Sequence, residues 1–201
     1  MVALIRASIR GLQAVIAIFV AYGLFASDLV LVVNGVLGLA MTGVPDALDR
    51  VFGIVFNRIV VLWIAMAVLL HTLGMAGPYE TIWWWDHLTH TLSAALLASF
   101  GYAIARALDD HSPAISLPPD FLFLYVILFT LAAGVLWEVL EFMGRMLAQS
   151  IGQQPLLIQY GLRDTILDLL FDGVGALIVG LVGQRWVNVS SEAFLTEILD
   201  R

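Results

Sequence analysis

Hydrophobic residues run along this chain in six long blocks separated by short polar breaks. The blocks cover roughly Leu4–Phe25, Leu29–Gly43, Ile59–Ala76, Asp86–Leu108, Phe121–Leu147 and Asp164–Trp186. A helix crosses the hydrocarbon core of a bilayer in about 20 residues, so the pattern predicts six membrane-spanning helices. The breaks carry turn chemistry at Ser27-Asp28, Pro45-Asp46, Gly77-Pro78, Asp109–Pro119, and Gln153–Gly161 around Pro155. The first block follows Arg6 and Arg10, as a signal peptide would. No clear small-x-small cleavage site follows it, so it reads as an uncleaved helix. Gly173, Gly175, Gly180 and Gly183 in the last block predict close helix packing. No strand precedes them, so they do not read as a phosphate loop.

Composition agrees with lipid as the solvent. Apolar residues make up 61% of 201 residues and charged residues 12%, whereas soluble domains average about 45–50% and about 25%. The chain reads as one all-α, polytopic membrane domain over residues 1–201. Residues 1–76 form its plainer three-helix part and residues 81–183 the part that carries motifs. Cys is absent, which removes thiolate catalysis, iron–sulfur clusters and Cys-based zinc sites. The nine cations, all Arg, face sixteen acids for a net charge of −7, so no basic patch offers itself to nucleic acid.

The Arg residues also predict an orientation. With both termini cytoplasmic, Arg6, Arg10, Arg50, Arg58, Arg106, Arg185 and Arg201 lie inside, and Arg145 and Arg163 lie outside. That arrangement suits a multi-pass protein of the plasma or inner membrane. Trp83-Trp84-Trp85 then falls at the outer interface as an indole anchor.

Six acids at or within the last three spans are harder to place: Asp86, Glu138, Glu141, Asp164, Asp168 and Asp172, joined by His90. An Asp at mid-helix costs roughly 2.5–3.5 kcal/mol on insertion scales. Helical spacing groups them. Asp86 and His90 are one turn apart and Ser93 continues their face. Glu138 and Glu141 are neighbours, and Asp164, Asp168 and Asp172 form a stripe. On the predicted topology all three groups reach the outer-leaflet half, with His71 at a similar depth. So many carboxylates together need protons, Arg partners such as Arg145 and Arg163, or metal ions. Glu141 and Arg145 are an i, i+4 pair. The donor set suits one or two divalent ions, Zn²⁺, Mn²⁺ or Fe²⁺, with Mg²⁺ fitting the all-oxygen part. Facing helices with such spacings are how bundles build di-metal carboxylate sites.

Plainer roles exist for several of these residues. Asp164 and Asp86 could cap the sixth and fourth helices. His87 lies off the Asp86–His90 face and reads as a packing or interfacial residue, and His71 as a hydrogen-bonded core residue. Asp109, Asp110 and His111 read as a solvated loop. Glu138, Glu141, Asp168 and Asp172 sit inside spans and have no comparable plain role.

The strings Trp85-Asp86-His87-Leu88-Thr89-His90, Trp137-Glu138-Val139-Leu140-Glu141 and Asp164-Thr165-Ile166-Leu167-Asp168-Leu169-Leu170-Phe171-Asp172 resemble the YjdF-like inner-membrane proteins. That family's pattern runs Asp-x-x-x-His, Trp-Glu-x-x-Glu, then Asp-Thr-x-x-Asp with another Asp one turn on. The resemblance covers roughly Thr81–Gly183 and implies that Asp86, His90, Glu138, Glu141, Asp164, Asp168 and Asp172 are the family's polar positions. It implies no activity.

Known membrane chemistries leave little trace. There is no His-Glu-x-x-His, no Gly-x-Ser-x-Gly and no Lys-bearing phosphatase signature. The carboxylate crowd argues against a bis-His haem. Three readings follow. The first is a metal-dependent hydrolase or transferase acting on a lipid or lipid-linked substrate, with Glu138 or Glu141 as general base. The second is a proton or metal-cation transporter. The third is a non-catalytic subunit whose polar cluster locks the bundle. A homo-oligomer and a larger membrane complex both stay open.

Overall fold

The computed structural model describes residues 2–112, 114–152, 154–156 and 160–186. Of the predicted break at Gln153–Gly161, residues 153 and 157–159 lie outside that range, as do Arg201 and the side chain of Arg185.

Seven helices make up the described chain. They are α1 (Val2–Ala26), α2 (Leu29–Phe52), α3 (Arg58–Met75), the single turn α4 (Pro78–Thr81), α5 (Trp85–His111), α6 (Pro119–Ser150) and α7 (Leu162–Trp186). Six of them are long and apolar enough to cross a membrane. The local signals explain where they start and stop. Ser27 adopts a left-handed φ of 58° and turns the chain. Asp28 then caps α2 by accepting from the Leu31 N–H at 3.0 Å. Asn57 caps α3 through the Ile59 N–H at 2.9 Å. Gly53 ends α2 in the left-handed conformation, its N–H bonded to Asp49 O at 2.8 Å.

Two boundaries differ from the prediction. The break at Pro45-Asp46 does not occur, because α2 runs through Pro45 to Phe52. Proline removes one backbone bond, but a membrane helix tolerates that loss when packing encloses it, and Pro45 is buried. Asp109, Asp110 and His111 are not loop residues. They form the last turn of α5, where Arg106 reaches Asp109 at 2.7 Å and Asp110 at 3.2 Å, and Asp109 Oδ1 accepts from the Leu117 N–H at 2.7 Å. These bonds hold the turn that the acidic pair alone would leave to solvent.

Helices α1, α2 and α3 pack on one another, as do α5, α6 and α7, and the α3–α5 contact joins the two groups. The interior between α5, α6 and α7 holds Ala95, Ala98, Tyr102, Leu122, Val126 and Ala176. The tightest approach is between α5 and α7. A Cβ on Gly175 would lie 2.5 Å from Thr91 O and 2.8 Å from Ala95 N, so only glycine lets the two backbones meet there. Large apolar side chains such as Phe25, Leu136 and Leu181 remain exposed around the outside, the surface that lipid covers. Trp83 and Trp84 are exposed too, whereas Trp85 is partly buried and donates its indole N–H to Leu70 O at 3.1 Å.

Candidate metal centre

The α5–α7 contact sets the geometry of the acids. Asp86 occupies the first turn of α5 and His90 follows one turn later on the same face. Opposite them, α7 presents Asp168 and Asp172, both buried. The imidazole of His90 lies among three carboxylates. Its Nδ1 is 3.1 Å from Asp172 Oδ1. Its Nε2 is 3.8 Å from Asp86 Oδ1 and 3.8 Å from Asp168 Oδ1. Asp86, His90 and Asp168 can each offer one ligand atom such that all three atoms lie within 4.8 Å of one another.

Asp172 meets the imidazole at Nδ1, and Nε2 faces Asp86 and Asp168. In the tautomer with the proton on Nδ1, Asp172 accepts it and the Nε2 lone pair is turned to those two carboxylates. Metal-binding histidines are oriented in this way, with a carboxylate holding the far nitrogen. Asp168 Oδ1 is buried and, among the described residues, has no N–H donor. A buried carboxylate oxygen without a donor needs a cation or a proton, and this one faces the imidazole. Ligands about 2.1 Å from a tetrahedral ion stand about 3.4 Å apart. The 3.8 Å separations are a few tenths of an ångström wider, within the reach of small side-chain rotations. The donor set fits a divalent ion.

Helix α6 brings Glu138 and Glu141, both buried. Glu138 Oε2 accepts from the Thr165 hydroxyl at 2.7 Å, which ties α6 to α7. Glu141 has Glu138, His90 and Asp86 as its electrostatic neighbours. Gly134 is the reason α6 can come so close. A Cβ there would overlap Asp172 Oδ2, so the carboxylate that orients His90 rests against bare α6 backbone. Asp164 lies at the start of α7, where its Oδ2 accepts from the Tyr160 N–H at 2.9 Å, the helix-starting work of an acid in the first turn. It is not one of the three grouped ligand residues.

The other histidines do different work. His87 stacks on Phe171 with ring centroids 4.3 Å apart. His71 belongs to a separate network that composition and spacing did not reveal. Both N–H groups of the Asn34 amide are used, on Val30 O at 2.9 Å and Leu156 O at 2.8 Å. Its Oδ1 therefore faces His71 Nε2 at 3.3 Å and accepts an N–H from it. His71 Nδ1 is left to meet the Tyr79 hydroxyl at 2.9 Å. The same hydroxyl lies 3.3 Å from Thr89 Oγ1, whose own hydrogen goes to Asp86 O at 2.8 Å. This chain straps α2, α3 and α4 together beside the acidic cluster and sets the Tyr79 hydroxyl against Thr89 of α5. An Asn amid an apolar run was the one signal for it, since Tyr79 lies in what reads as a turn.

Beyond Glu138, a groove of about 490 Å³ opens between α6 and α7. Its lining runs from Val135 to Gln149 on α6 and from Gly161 to Leu169 along the start of α7, and it includes Arg145, Thr165 and Glu138 itself. Glu138 is thus shared between the groove and the buried acids.

The fold and the site define an all-helical, multi-pass membrane protein with a carboxylate–histidine cluster capable of metal coordination. Residues 8–189 match the family model described as "Predicted membrane protein (DUF2238)", and the chain belongs to that uncharacterised family. A protein of Thermotoga maritima described only as uncharacterized is 28% identical over 130 residues, which are 62% of this chain. The match spans 61% of that relative's own length. No solved structure matches.

Proposed function

We propose that this protein is a metal-dependent hydrolase or transferase acting on a lipid or lipid-linked substrate. Asp86, His90 and Asp168 are the ligands of a divalent ion, Zn²⁺, Mn²⁺ or Fe²⁺, with Mg²⁺ a weaker fit to a site that includes an imidazole. The observation that carries this reading is the orientation of His90, held at Nδ1 by Asp172 with Nε2 turned to two carboxylates. Such an ion supplies Lewis acidity, polarising a phosphoryl or acyl oxygen and making bound water easier to ionise. Glu138 is the general base, because among the described acids it is the one that lines the groove and also neighbours the buried cluster, and Glu141 is its buried neighbour. A substrate that enters from the bilayer avoids a water path through the bundle.

The distribution of Arg supports both termini in the cytoplasm and the cluster in the outer-leaflet half. The order of the three motif blocks supports kinship with the YjdF-like proteins.

The test is elemental analysis of the purified, detergent-solubilised chain beside Asp168→Ala, followed by assays on phosphoester and acyl lipids. The reading predicts stoichiometric metal in the wild type, none in the variant, and turnover that needs both the metal and Glu138. Metal-free wild-type protein, or full turnover by Glu138→Gln, overturns it.

A further inference from the structure

The groove between α6 and α7 has a polarity that changes with depth. On α6 its lining residues Val135, Glu138, Phe142, Arg145 and Gln149 share one helix face. Gln149 and Arg145 lie near the C-terminal end of α6, and Val135 lies nearest its middle. Arg145 is two turns above Glu138, about 10 Å at 1.5 Å per residue. Among the residues that line the groove, Arg145 is the cation and Glu138 the acid. The lips are apolar and face outward, with Phe142 at 52% and Leu162 at 79% exposure, so the groove opens toward lipid.

This order, a cation toward the helix end and apolar walls toward its middle, is the order of an anionic lipid standing in one leaflet. We infer that the groove seats one anionic membrane lipid, its phosphate at Arg145 and its chain along Val135, Val139 and Leu169. Arg145 supplies the charged donor that a phosphate needs. The lipid's head lies far enough above Glu138 to escape most of its repulsion, and Glu138 is already bonded to Thr165. The linkage between head and chain then reaches the level of Glu138. This inference deepens the proposed function by naming its substrate class, and it rests on that reading only for what happens to the lipid once bound.

Binding is measured on the full-length chain in detergent with a short-chain phosphatidylglycerol, using phosphatidylcholine of the same chain length as comparison. The wild type is expected to prefer phosphatidylglycerol by about tenfold, the scale of one charge-assisted contact. Arg145→Gln is expected to abolish that preference and Arg145→Lys to retain most of it. Val139→Trp, which fills the groove, is expected to weaken both lipids. Equal binding of the two lipids by the wild type, or unchanged binding by Arg145→Gln and Val139→Trp together, overturns the inference. Metal content is read on the same samples. Groove binding as expected in metal-free protein would overturn the proposed chemistry and leave the lipid site standing. Normal metal with no lipid preference would do the reverse.

Discussion

Asp172 holds His90 by its Nδ1 at 3.1 Å, on the side of the ring away from Asp86 and Asp168. In the proposed centre this carboxylate orients the imidazole while Asp86, His90 and Asp168 hold the ion, and that division has consequences for mutants. Asp168→Asn removes a ligand charge and is expected to lower metal affinity below what stoichiometric loading requires. Asp172→Asn keeps an oxygen that can accept the Nδ1–H but loses its charge. The expected cost is about 10–100-fold in affinity, the usual effect of losing an outer partner. Metal titration of the two variants separates them, and equal losses would mean that Asp172 is itself a ligand.

Gly134 makes that relationship possible, since an added methyl would meet Asp172 Oδ2 and come within 3.2 Å of Leu169 Cδ2. Gly134→Ala is therefore expected to push Asp172 off His90. Overpacking of this kind costs about 1–3 kcal/mol, and metal affinity should fall about tenfold with it. Thermal unfolding and metal titration in detergent read the two effects. Normal values for both would show that α6 can move away without disturbing the cluster.

Much of this was legible in the residues. A helix forces Asp86 and His90, or Asp168 and Asp172, onto one face whatever surrounds it, so the grouping of the acids followed from spacing alone. Which of them share a ligand set did not. That depends on the rotation of α5 against α7, and the backbone contact at Gly175 sets it. The glycine cluster on α7 announced close packing but not its partner. Pro45 misled for a similar reason. In water a mid-helix proline ends most helices, while α2 continues through it because the surrounding spans enclose the break. The Asn34–His71–Tyr79 strap joins residues far apart in the chain and has no local signature beyond a single Asn.

Acid should empty the metal site. The carboxylates and the imidazole bind a cation only after losing their protons, so binding releases protons and affinity falls as pH falls. Metal affinity measured from pH 8 down to about pH 5 should decline steadily, with buffer-dependent proton release in calorimetry. Affinity that is flat across that range would be incompatible with Asp86, His90 and Asp168 as ligands.

The strap around Tyr79 makes a separate prediction about stability. Its hydroxyl meets His71 at 2.9 Å and Thr89 at 3.3 Å, and its ring fills the space beside Gly74. Tyr79→Phe keeps the ring and leaves the buried Nδ1 of His71 without that partner. The expected loss is about 1–3 kcal/mol, with metal content unchanged because neither His71 nor Tyr79 is among the grouped ligands. Burial also pushes the Tyr79 hydroxyl well above the usual phenol range. The sign follows from linkage. The unfolded chain ionises this group near pH 10 while the folded protein keeps it neutral, so the folded state loses stability as pH rises beyond that point. Thermal unfolding of the wild type should therefore fall faster above about pH 10 than that of Tyr79→Phe, the two curves converging at high pH. Parallel curves would mean that the hydroxyl ionises in the folded state as it does in the unfolded chain, and coincident curves would mean that it contributes nothing to holding α4 against α3.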